Sequence, residues 1–336
     1  MRTFLAVLSV SVLALMVMAG SGAAQPSPTT WKVTIGGESS DHAIQAEDFF
    51  PRTITINTGD TITWTKNTLL PHTVHFLTGA QSPEIFIPQK DGKLEFNPVV
   101  ANPQGGKTYA GTGIAASGFL PEQKGLQYSL TFTKPGRYTY VCAIHPGMTG
   151  TVVVQPTGTR TPETQAQYDA ASARQVAQVL EQGKTLLAAT KLSMRKTPKG
   201  TVYISSLTGS RDAHISFMRF SPETITVKVG DTVQWDMRDA YEIHTVTFPG
   251  TAMPPEFIIP EPQPQGPPKI FFNPKAMTPV AGPHKGNEFY NSGVLTPPPA
   301  PMGPHTYSLT FTKAGTFSYW CVVHVPEGMK GTVIVQ

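Results

Sequence analysis

Two short stretches concentrate sulfur and nitrogen donors at a spacing that suits a metal. One is Cys142-Ala-Ile-His145-Pro-Gly-Met148, and the other is Cys321-Val-Val-His324-Val-Pro-Glu-Gly-Met329. Each is preceded, about seventy to eighty residues upstream, by one histidine in a matching word, His72 in PHTVHF and His244 in IHTVTF. A thiolate, two imidazoles and a weak thioether form the soft set that suits copper cycling between two oxidation states. Structural zinc sites close with more Cys or His than either stretch offers. A disulfide is possible by arithmetic, because the chain has 2 cysteines, but it would consume the thiol of both sets. The plain alternative is two buried thiols and ordinary histidines. The same four donor types in the same order, twice, favour the metal.

Those donors need a rigid frame, and the chain supplies it as a repeat. PRTITINTGDTITW (51–64) returns as PETITVKVGDTVQW (222–235), and SPEIFIPQ (82–89) returns as PPEFIIPE (254–261). FNP recurs at 96–98 and 272–274, YSLTFTKPGRYTYVCAIH (128–145) matches YSLTFTKAGTFSYWCVVH (307–324), and GTVVV (150–154) matches GTVIV (331–335). A unit this long is a whole domain rather than a solenoid turn. Within each unit the pattern alternates with period two: Thr53–Ile56 and Thr61–Trp64 flank a turn at Thr58-Gly59-Asp60, and Lys134-Pro135-Gly136 turns the chain into the segment ending at Cys142. The 30 Gly and 32 Pro fit many short strands joined by turns. Trp64 and Trp235 are expected in the cores. The expected architecture is all-β: two antiparallel sandwich domains, 31–156 and 201–336, joined by a partly helical linker, 157–200. In that linker Thr161 is the expected N-cap, with Pro162 at the first helical position and Glu163 in the first turn. Ala173, Val176, Ala177, Leu180 and Leu187 then recur at helical spacing, with a break or fraying expected at Gly183.

The start of the chain reads as an export signal, residues 1–24. Arg2 precedes an apolar run, Phe4 to Met18, and small residues follow through Ala24. The run is short of the ~20 residues of a spanning helix, which favours a cleaved signal over an anchor. A periplasmic or secreted protein with no integral membrane segment after signal removal is expected. Nine basic and nine acidic residues lie in 31–156, and seven basic against three acidic in 157–200. No broad basic face emerges, so nucleic-acid binding has no support.

Taken together, the words PHTVHF and C-x-x-H-x-x-M resemble the plastocyanin/azurin cupredoxins. The first ligand loop looks especially like that of amicyanin, and the longer C-x-x-H-x-x-x-x-M loop is similar in spacing to that of pseudoazurin. The resemblance implies Greek-key β-sandwiches, one type 1 copper in each, and the ligands His72, Cys142, His145 and Met148, then His244, Cys321, His324 and Met329. Glu327 stands at the spacing where the first unit has Met148. Met329 is preferred as the axial ligand because Met-x-Gly recurs at 148–150 and 329–331. Many relatives place Asn after the upstream His, whereas here Thr73 and Thr245 stand there, so that contact is left open. In relatives the edge of the loop histidine is an exposed docking patch, expected here to be apolar, flanked by Pro146 and Gly147 and by Val325 and Pro326. Val141 and Trp320 precede the cysteines, and Trp320 is a second candidate electron route. The Pro-rich excursions 77–127 and 249–306 would cover one end of each sandwich or face a partner. His75 is expected to be a non-ligand, and His42, His214, His284 and His305 to have surface or structural roles.

The leading functional expectation is single-electron transfer between redox protein partners. The alternative is copper delivery or tolerance without electron traffic. An oxidase or reductase would need His-x-His pairs or a Cys-His dipeptide, and the chain has neither, so no enzymatic activity is expected. No orienting acid and base accompany either cysteine as a catalytic triad would require.

Overall fold

The computed structural model describes residues 27–77, 79, 81–239, 241–297 and 303–336, and the expected export signal at 1–24 lies outside the described residues. Each repeat unit folds as two facing sheets. In the first, Thr30–Glu38 runs parallel to Thr61–Lys66, which pairs antiparallel with Gln127–Phe132. The facing sheet orders Thr53–Asn57, Thr149–Gln155, Gly136–Val141, His75–Phe76 and Ala115–Ala116. The second unit repeats this with Gly200–Ser210, Thr232–Arg238 and Thr306–Thr310 on one side. Thr224–Val227, Lys330–Val335, Gly315–Trp320, Thr247–Phe248 and Tyr290–Asn291 form the other. The fold is the all-β one expected, with two sandwiches and few helices.

Alternation places the cores. Thr61–Lys66 buries every second residue, so Ile62 and Trp64 point between the sheets. Trp64 meets Phe76 and Tyr140 edge-on at 5.8 and 5.3 Å between ring centres. Trp235 meets Phe248 and Tyr319 at 5.9 and 5.3 Å in the same way. The turn at Gly59 needs its positive φ of 96°, and Gly230 follows at 95°. Asp60 fastens the turn by accepting from Trp31 Nε1 at 2.8 Å and from Asn57 N at 2.9 Å.

The two units are joined edge to edge. Ile44–Phe50 of the first pairs antiparallel with Ile215–Phe217 of the second, making one ten-stranded sheet through both. The excursions also meet: Phe86–Pro88, Leu94–Phe96, Lys269–Phe272 and Ile258–Glu261 form a four-stranded sheet with two strands from each unit. Its apolar face gathers Phe86, Phe96, Phe257 and Phe272 against Ala143 and Ile144 of the first donor loop. The excursions therefore tie the units together and cover that loop.

The linker helix is unbroken from Gln165 to Ala189, contrary to the expected break at Gly183. Gly183 is buried where the helix crosses Ile44, and an added Cβ would overlap the Ile44 Cγ2 methyl. Close approach, rather than fraying, accounts for the glycine. The cap is also Thr164, not Thr161: Gln167 stands three residues on and completes a capping box that Thr161 lacks. Helix residues Val179, Leu180, Leu186 and Leu187 pack on Ile44 and Phe217, one from each unit. Tyr168 reaches back to accept from Thr55 N at 3.0 Å. A hairpin, Ser193–Thr197 with Gly200–Ile204, joins the linker to the second unit's sheet across residue 200. No helix among the described residues is long and apolar enough to cross a membrane.

Candidate metal centres

His72, Cys142 and His145 converge, as do His244, Cys321 and His324, and all six are buried. Cys142 and Cys321 follow the strands Gly136–Val141 and Gly315–Trp320, whose pairing with the last strand of each unit fixes where the thiols project. His72 and His244 sit on isolated bridges to Leu120 and Leu295. In the first centre Cys142 Sγ lies 3.8 Å from His72 Nδ1 and 3.5 Å from His145 Nδ1, and the two Nδ1 atoms are 3.0 Å apart. The second centre repeats this at 3.7, 3.4 and 3.2 Å. Ligands at about 2.0–2.3 Å from one metal in a trigonal plane stand roughly 3.5–4 Å apart. The donors thus fit one copper per centre with shifts of about half an ångström or less.

Met148 and Met329 stand in the same register in the two units. Cys142 N donates to Met148 O, and Cys321 N donates to Met329 O, each at 3.0 Å. Both methionines are buried. Met329 is therefore the positional counterpart of Met148. Glu327, also buried, has neither carboxyl oxygen hydrogen-bonded among the described residues.

The threonines after the upstream histidines settle the open contact. Thr73 N donates to Cys142 Sγ at 3.3 Å, and Thr73 Oγ1 accepts from Ala143 N at 2.7 Å. Thr245 N donates to Cys321 Sγ at 3.3 Å, and its Oγ1 accepts from Val322 N at 2.9 Å. A donor aimed at sulfur favours the thiolate. Burial pushes both thiols up, but the facing imidazole of His145 or His324 and the hydrogen bonds outweigh it. Cys142 is held below, and Cys321 well below, the ordinary value.

The loop histidines overturn an expectation. His145 and His324 form no exposed docking patch: they are 3% and 1% exposed, because the units meet there. Glu242 lies between them, with Oε1 2.7 Å from His145 Nε2 and Oε2 3.2 Å from His324 Nε2. Although burial opposes the charge, the two imidazoles hold the Glu242 carboxyl well below its usual range. Glu47 adds a second buried acid, Oε2 3.5 Å from His145 Nδ1. Burial first, then the nearby acids, pushes it up to about 8. Asp239 Oδ2 stands 3.7 Å from His244 Nε2, and its Oδ1 accepts from Tyr241 N and Glu242 N, which shapes the loop presenting Glu242. His72 Nε2 has no hydrogen-bond partner among the described residues.

Sequence reasoning missed Glu242 and Glu47. The signal was present: Glu242 stands where the first unit has Leu70, and Glu47 where the second has Met218. Of the remaining histidines, His75 is buried outside the donor cluster, with Nε2 3.3 Å from Val99 O. His305 Nδ1 lies 2.7 Å from Thr296 O. His42 and His214 each adopt positive φ in the turn after the first long strand of their unit, one alignment position apart. His284 is structural: it fills the slot of Tyr109, among Phe248, Phe311 and Phe317, which match the Phe76, Phe132 and Tyr138 around Tyr109.

Residues 38–155 match the family described as copper binding proteins of the plastocyanin/azurin type. Among curated relatives, amicyanin of Paracoccus denitrificans is 32% identical over 100 residues, 30% of this chain and 53% of that protein. Amicyanin-alpha of Methylorubrum extorquens is 30% identical over 102 residues, 30% of this chain and 60% of that protein. Plastocyanin of Scenedesmus fuscus is 29% identical over 117 residues, covering 35% and 86% of the two chains. The chain thus spans only a little over half the length of the two amicyanins.

Proposed function

Because residues 38–155 match the plastocyanin/azurin copper-binding family, we propose that this chain carries two type 1 coppers and moves single electrons between redox proteins. One observation carries the reading: the same His-Cys-His triangle, with a buried Met in the same register, occurs in both units. His72, Cys142, His145 and Met148 would hold the first metal, and His244, Cys321, His324 and Met329 the second. Copper so held exchanges one electron at a time. The chain's own work is to keep the triangle rigid, to aim Thr73 N and Thr245 N at the sulfurs, and to exclude water.

Burial argues against the delivery reading. A metal handed between proteins needs an open ligand, and all six triangle residues are at most 3% exposed. External partners would reach the centres elsewhere than the loop histidines. The partly exposed Trp320, next to Cys321, remains a candidate route. Export to the periplasm or beyond and the absence of enzymatic activity belong to the same proposal.

Loading the purified chain with Cu(II), counting the metal and recording visible and electron paramagnetic resonance spectra tests it. Two coppers with an intense thiolate-to-copper band and narrow hyperfine splitting are expected. Colourless, weakly held metal would overturn electron transfer.

A further inference from the structure

The contact between the loop histidines has no counterpart in a single sandwich. With all four Nδ1 atoms turned into the two triangles, each loop histidine must carry its proton on Nε2 when a metal is bound. Both Nε2–H groups then point away from their own centre, and among the described residues Glu242 of the second unit is the one carboxylate in contact with both, reached across the junction by His145 and within its own unit by His324. One oxygen faces each ring: Oε2 hydrogen-bonds to His324 Nε2 at 3.2 Å, and Oε1 stands 2.7 Å from His145 Nε2 as an ion-pair contact. Glu242 is itself buried, and Asp239 holds the backbone of its loop, so water does not compete for these bonds.

Resting on the two-copper reading, we infer that Glu242 joins the centres into one coupled redox pair, as the shared acceptor through which each senses the other and electrons cross between them. A carboxylate hydrogen-bonded to a ligating imidazole raises the basicity of that ligand and favours the oxidised metal. Here one carboxylate serves two ligands, so its charge is divided. When one centre takes up an electron, its ring asks less of the carboxylate, and the carboxylate favours the remaining oxidised centre more. The second electron therefore enters less readily than the first. The line His145–Glu242–His324, an ion-pair contact of 2.7 Å followed by a hydrogen bond of 3.2 Å, is also the shortest link between the triangles that the contacts among the described residues provide. Glu242 is a positioning residue in this scheme and touches neither metal.

The test has two readouts on the full-length chain. Nitrogen-15 NMR of the metal-free and Cu(I)-loaded forms reports the Nε2–H groups directly. In the Cu(I) form both His145 and His324 should show downfield protons that exchange slowly with water, and Glu242→Gln should move both together. In the metal-free form both rings should respond to the same substitution. Rapid exchange at either ring in the Cu(I) form would overturn the bridge without relying on any variant, and a response to Glu242→Gln confined to one ring would overturn it as well.

The second readout is redox titration of the blue absorbance. Cys142→Ser and Cys321→Ser give each centre alone, and their sum defines independent behaviour. The native chain should depart from that sum by a factor on the order of 5–150 in the second uptake constant, and Glu242→Gln should shrink the departure. Two blue coppers that titrate independently would sink the coupling and leave the electron-transfer reading standing. Absence of blue centres would sink that reading, while the metal-free spectra would still decide the contact.

Discussion

Gln45 pairs with Ser216 across the junction of the two units, and each is the other's counterpart in the repeat. Ile44 and Ile215 are likewise counterparts, each lying opposite the residue two places beyond its own match. Glu95 and Phe271, counterparts in the excursions, face one another in the second shared sheet. A pseudo-twofold axis therefore passes through both junctions, and the units meet as an isologous pair held in one chain. That axis brings the two donor loops face to face.

If the centres are separate triangles, Cys142→Ser and Cys321→Ser should each remove about half of the blue absorbance, and the double variant all of it. The half is expected because each triangle has its own thiolate and the motif supplies one copper per thiolate. Visible titration with Cu(II) checks this, and complete loss from either single variant would contradict separate centres.

Thr73→Val should cost about 1–3 kcal/mol, because it leaves the Ala143 N–H buried without its 2.7 Å acceptor. Thr245→Val should act similarly through Val322 N, bonded at 2.9 Å. The backbone donors to sulfur survive both changes, so colour should persist while the urea midpoint falls. A variant as stable as the native chain would mean the hydroxyls contribute little.

Gly183→Ala sets two effects against each other. Helix propensity alone would stabilise by about 1 kcal/mol. The new Cβ would overlap Ile44 Cγ2, part of a branched side chain fixed between the helix and both units. Overpacking at such a site costs about 1–3 kcal/mol, so net destabilisation is expected. A rise in the thermal midpoint would show that the helix can lift off the sheet.

His284 should make stability fall with acid. Burial among aromatic rings pushes it down to about 4, below the ordinary histidine value of the unfolded chain. The unfolded state therefore binds the proton first, and the contribution present above about pH 6.5 is lost as pH falls towards 4. Between about pH 7 and about pH 5 the loss is roughly 2 kcal/mol. Urea titrations of native chain and His284→Phe at both pH values isolate it, since the metal centres are common to both. Equal pH dependence in the two would refute the assignment.

The strands, turns and donor words were legible because each rests on a local signal: alternation at Thr61–Lys66, the Gly59-Asp60 turn, the spacing from Cys142 to Met148. What was hidden depends on contacts between units. Leu70 and Glu242 sit in otherwise matching words, yet nothing local says that one carboxylate reaches two histidines in different units, His145 and His324. The buried His145 and His324 were expected at an exposed edge because a lone sandwich leaves that edge free. Gly183 looked like a helix breaker because propensity was weighed without Ile44, and the cap shifted from Thr161 to Thr164 because Gln167 supplies the reciprocal bond. His284 had no histidine to match, although its slot matches Tyr109 by shape.

Glu242 and Leu70 are both buried and occupy equivalent places on either side of the axis. A dimer of identical chains could not arrange this. Symmetry would force either two acids, repelling each other at close range, or two leucines, leaving both imidazole N–H groups without an acceptor. Covalent fusion lifts that constraint, since each half can change alone. One acid shared by the two loop histidines of a nearly symmetric molecule is a feature that a dimer of identical chains could not have.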